Sequence, residues 1–128
     1  MAAMSDYLKN ATLNATLRGQ AWVAPTTVYL ALYTSDPTPA KTGTEVNGGA
    51  YARKSITFNA PNNGVAVSSL DVLFAVATAS WGTVTHIGIL DAATNGNLLY
   101  YGALTNTKTI ASADQLKIAA GDVSISLD

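Results

Sequence analysis

After Gly19 the hydrophobic period of this sequence changes from helical to two, and turn residues punctuate it from there on. Side chains alternate between faces along a strand, so a chain with this period must draw its core from sheets. Residues 26–33 place Val28, Leu30 and Leu32 on one face and Tyr29, Ala31 and Tyr33 on the other, which predicts a strand covered at least in part on both sides. Residues 51–58 predict a second strand, with Ile56 and Phe58 inward and Arg53, Ser55 and Thr57 on the opposite face. The apolar stretch 65–77 predicts a strand around residues 70–74. Residues 83–90 and 98–104 form a hairpin across a loop containing Asn95-Gly96, and Gly88 marks a bulge or a close approach. A turn at Asn106-Thr107, short strands at 108–111 and 115–119, and a last strand with Val123, Ile125 and Leu127 inward and Ser124, Ser126 and Asp128 outward complete the pattern.

About eight short strands at turn-punctuated spacing predict an antiparallel two-sheet β-sandwich, mainly β, in one domain spanning residues 1–128. Period does not give strand order, so jelly-roll and immunoglobulin-like topologies both fit. Residues 26–128 are the sandwich. Residues 1–19 read as an N-terminal helical arm: Ser5 caps the helix, Asp6 suits its positive end, and Arg18-Gly19 stops it. Met4, Tyr7, Leu8, Ala11 and Ala15 form one stripe, while Leu13 and Leu17 lie nearly opposite, so the helix needs two neighbours. Between the first strand and Gly48-Gly49 runs a long loop opened by Asp36-Pro37, and long loops in small domains tend to be functional or mobile.

Of the 128 residues, 48% are apolar but only 12% are charged, with a net charge of −1. The charged share is about half the usual one. Seven basic residues spread along the chain do not build a phosphate-neutralising stripe, so no nucleic-acid partner is expected. No apolar run reaches the roughly 20 residues of a membrane span, and the opening residues lack the basic and apolar regions of a signal peptide; neither a membrane partner nor Sec-type export is expected. Low charge is also the composition of interface cores, which points to a surface that meets protein.

Catalytic residue types are sparse. Cysteine is absent, which excludes disulfides and thiolate metal sites. His86 is the one histidine, without a nucleophile or carboxylate at diagnostic spacing, and is expected to be structural. The carboxylates are scattered and match no calcium loop; several fall in loops, where aspartate forms turns. No catalytic residue, metal site or cofactor is assigned. Trp22, Tyr29, Tyr33, Tyr51, Trp81, Tyr100 and Tyr101 suit either packing and interface anchoring or, less well, a sugar-stacking platform.

Four blocks carry a resemblance: residues 32–38 (LYTSDPT), 44–53 (TEVNGGAYAR), 79–89 (ASWGTVTHIGI) and the tail from Asn97. With the helical opening Ser5-Asp6-Tyr7-Leu8, they make the chain similar to a family of small tailed-bacteriophage proteins over nearly its whole length. These are known as tail-fibre or virion structural proteins, and some resemble capsid decoration (cement) proteins. The resemblance implies a non-enzymatic virion component assembled in the host cytoplasm. Its partners would be copies of itself and the major capsid protein or neighbouring virion subunits. The leading expectation is a capsid decoration subunit, with a tail-fibre or glycan-binding component as the alternative. The expected interface residues are Tyr7, Leu13, Leu17 and Trp22 in the arm, and Tyr51, Arg53 and Trp81 near the long loop.

Overall fold

A computed structural model describes residues 3–127; the outward placement expected for Asp128 lies outside them. The architecture is mainly β, sandwich-like and antiparallel, with one helix. One layer is a five-stranded sheet in the order β1 (Ala3–Met4), β7 (Leu98–Ile110), β6 (Gly82–Leu90), β2 (Val28–Tyr33), β3 (Lys54–Ile56). The facing layer is split into two small ladders, β4 (Val65–Val67) with β9 (Ser124–Ser126) and β5 (Val72–Leu73) with β8 (Lys117–Ile118).

The main core lies between the layers. Leu30, Leu32, Ile56, Val84 and Ile89 come from the large sheet, and Val72, Phe74, Ala77, Leu116, Val123 and Ile125 come from the other side. This is the inward set that the period predicted for 28–33, for 51–58 and for Val123 and Ile125. Leu127 departs from it and is half exposed, because the last ladder ends at Ser126. β2 is covered on both faces as expected: Ala31 and Tyr33 join Leu90, Leu98 and the partly buried Tyr101 in a second, smaller core on the back of the sheet.

Two segments differ from the sequence reading. The chain does not turn out of the sheet at Asn106-Thr107. β7 runs on to Ile110, and residues 104–107 bulge opposite the single residue Thr85, between the pairs Val84↔Lys108 and His86↔Ala103. Leu104 packs against the main core while Thr105, Asn106 and Thr107 are polar and exposed, so an extended bulge takes them up without breaking the ladder on either side. The region around 70–74 holds only β5, because Leu70, Leu73 and Val76 face outward and just Val72, Phe74 and Ala77 supply the core.

Gly88 is a point of close approach. A Cβ there would stand 2.9 Å from both the Leu98 side chain and the Tyr33 ring, so the second core closes only over a glycine.

The helix α1 (Asp6–Leu17) is capped as predicted: Ser5 Oγ accepts from Leu8 N–H at 3.2 Å, and Gly19 follows the last turn at φ +65°. Met4, expected on the helix, instead pairs with Tyr100 in β1. Ser5 is also the pivot between helix and sheet, since its N–H donates to Leu99 O at 2.9 Å and its hydroxyl to Leu98 O.

Candidate functional surface

Three of the expected interface residues meet inside the protein. Glu45, in the long loop, stands over the start of β3. Its Oε1 accepts from Arg53 Nη2 at 2.8 Å, and its Oε2 accepts from Arg53 Nε at 2.9 Å and Tyr51 Oη at 2.6 Å. The two-pronged carboxylate–guanidinium fork is the strongest form such a pair takes. Arg53 Nη1 donates on to Ala92 O and Asn95 O, each at 2.8 Å, and so ties the β6–β7 loop to the same point. Tyr51 Oη in turn accepts from Leu32 N–H at 3.0 Å.

Below this network the Tyr51 ring meets Trp81 edge-on at 5.5 Å and lies nearly parallel to Phe74 at 6.3 Å. Trp81 is only 4% exposed, and its Nε1–H donates to Gly49 O at 2.8 Å. Gly49, at φ +60°, is forced by this packing, because a Cβ would come within 2.9 Å of the Trp81 ring.

Tyr51, Arg53 and Trp81 therefore serve the protomer's own core rather than an outward face. Their polar atoms are spent on the long loop, at Glu45 and Gly49. The same burial removes Tyr33 and Trp81 from any sugar-stacking platform. Glu45 went unnoticed as their partner; the available signal was that it is the chain's one glutamate, beside the buried Val46.

Protonation within the network follows its contacts. Burial pushes the Glu45 carboxyl up, but the hydrogen bonds from Arg53 and Tyr51 outweigh it and hold the group below its ordinary value. Burial, then the bond to Glu45, drives the Tyr51 phenol far upward, so it stays a neutral donor. Elsewhere the loop carboxylates act as turn formers, as expected: Asp36 accepts from Thr38 N–H, Asp91 from Asn97 and Asp114 from Ala111 N–H. His86 is half-buried on β6 and bonded to the Thr85 hydroxyl at 2.8 Å. Among the described residues no group of acidic or histidine side chains could hold a metal ion, and no helix is long and apolar enough to cross a membrane.

What the protein does present is apolar. On the arm, Leu13 is 54% exposed, Leu17 76% and Val23 89%, and Tyr7 and Trp22 are exposed as well. Trp22 Nε1 donates to Tyr7 Oη at 3.2 Å, so these two form one aromatic ledge. The helix contributes only Leu8 to the buried interior, and its charged residues are just Asp6 and Lys9. The two-faced reading of the helix thus corresponds to one thin seam on the body and one broad open face. A second apolar strip is formed by Leu70, Leu73 and Val76. At one end of the sandwich an open groove of about 260 Å³ is lined by Val28, Phe58, Ala66, Ile89, Tyr100 and Ile125. It is smaller than the roughly 300–1,000 Å³ of ordinary ligand pockets, and no cluster of polar groups converges on it.

Residues 3–126 match the family model of the podophage GP4 fiber I protein gp80. The chain belongs to this family. It is thereby a member of a phage fibre protein family, a structural component of the virion. The match covers both the arm and the sandwich, so the arm is part of what family members share. No curated protein matches the chain.

Proposed function

We propose that this protein is a non-catalytic assembly subunit of a phage fibre, whose copies pack on one another and on neighbouring virion proteins through the open face of the N-terminal arm. The observation that carries this is the exposure of Leu13, Leu17, Trp22 and Val23 on a segment whose backbone is fixed at one end by the buried Ser5 and Leu8. Large apolar side chains grouped on an ordered surface are the mark of an interface. Of the two settings that the resemblance implies, the family description favours the fibre over capsid decoration.

The test is a triple variant, Leu13→Glu, Leu17→Glu and Val23→Glu, which leaves every buried residue in place. Phage lacking the native copy and supplied with this variant are expected to form particles from which the protein is missing, by mass spectrometry of purified virions. The isolated variant should melt at the native temperature of the monomer. Incorporation at the native copy number would overturn the proposal.

A further inference from the structure

We infer that the arm is exchanged between copies: residues 3–17 of one protomer dock on the β7 edge of the next, with residues 18–27 as the hinge. This rests on the self-association just proposed and names its geometry. Apart from the Trp22–Tyr7 bond, which joins arm and hinge, the polar ties that hold the arm run to the body. Ala3 and Met4 pair with Tyr101 and Tyr100, Ser5 bonds to Leu98 O and Leu99 O, and Asp6 N–H donates to Pro39 O at 2.9 Å. Such contacts are the same whether arm and body belong to one chain or two, which is why exchange is a low-cost route to an oligomer.

The hinge has the properties that decide between these two states. It holds no strand or helix, and residues 15–24 are exposed without a break. After Gln20 N–H, which closes the helix on Asn14 O, none of the described inter-element backbone hydrogen bonds involves residues 21–27. Pro25 disfavours helical backbone at Ala24. Freed from the contact of Trp22 with Tyr7 and drawn out, ten residues span at most roughly 33–36 Å, enough to cross to a neighbour. The composition is also wrong for a linker that stays in water: Ala21-Trp22-Val23-Ala24-Pro25 is apolar throughout. Two hinges crossing side by side would cover each other's Trp22 and Val23 together with Leu13 and Leu17. The occupant of the open face is thus the hinge of a second copy.

The chain has no cysteine, so an introduced pair reports without background. Ala3→Cys with Tyr101→Cys occupies directly opposed positions of an antiparallel ladder, where Cα separations suit a disulfide. Oxidised in the assembled state and run without reductant, most of the protein is expected as covalent dimer or closed ring. A mixture of the two single-cysteine variants should yield the linked heterodimer. If the double variant does not fold, Met4→Cys with Tyr100→Cys gives the same readout one step along on the opposite face. An intrachain disulfide in a protein that still sediments as an oligomer overturns exchange and leaves the assembly proposal standing. An intrachain disulfide in a protein that is monomeric at every concentration and absent from particles overturns both.

Discussion

Glu45 shows how much of this molecule hangs on single polar side chains. With only 12% of residues charged, the main ionic bond is spent inside, joining the long loop, the start of β3 and the β6–β7 loop at one point. A buried guanidinium is costly unless every donor is used, and here Nε, Nη1 and Nη2 all donate. Because the folded state holds the Glu45 carboxyl below its ordinary value of 4.5, its contribution is complete above that value. It is lost as pH falls through the lower, folded-state value. Glu45→Gln is therefore expected to cost about 2 kcal/mol at neutral pH and much less in strong acid, where the native carboxyl is protonated too. Parallel denaturation curves from pH 7 to about 3 would show the gap closing; a gap independent of pH would contradict the assignment. None of this was legible in the sequence. Arg53 and Tyr51 were marked as interface residues near the long loop, whereas both bond Glu45 within the protomer. Their partner lies across that loop's fold, and a period of two says nothing about which loop residue closes over a strand.

At the scale of elements, the signals that local chemistry sets were the ones that could be read. Ser5 before an Asp, Gly19 after an Arg, and alternating Val, Ile and Leu each act over a few residues, and each forms the cap, stop or strand face expected. The bulge in β7 could not be read, because Thr105-Asn106-Thr107 has turn composition and only the registers on both sides hold it in the sheet. Nor could the use of Met4 in β1, which depends on a free edge of β7 almost a hundred residues away. Ser5 serves helix and sheet at once. Ser5→Ala should lower stability by about 2–3 kcal/mol, combining a lost cap with an unsatisfied buried carbonyl at Leu98. In hydrogen exchange the Leu8 amide should lose protection first, since Ser5 Oγ is its acceptor; unchanged Leu8 protection would mean the cap is dispensable.

The whole molecule is a sandwich whose surface offers partners apolar area and hydroxyls, with a net charge of −1. An assembly built on such surfaces should not depend on ionic attraction. Raising salt from about 0.1 to about 1 M shortens the screening length from about 10 to about 3 Å, yet the sedimentation profile of the assembled protein is expected to hold or shift to larger species. Dissociation by salt would show that charge pairs carry the contacts. The mainly β class was evident from period alone; the split of the second layer was not, since ladders as short as β5–β8 leave hardly any alternation to detect.

That split has a mechanical side. The two ends of the chain sit in short ladders, β1 on β7 and β9 on β4, while the longest run of paired backbone joins β6 to β7 in the middle. Pulled by its termini, the protein would yield from the outside in. The arm and tail would peel first, and the central hairpin, loaded at its open end where Gly82 pairs with Ile110, would unzip pair by pair after them.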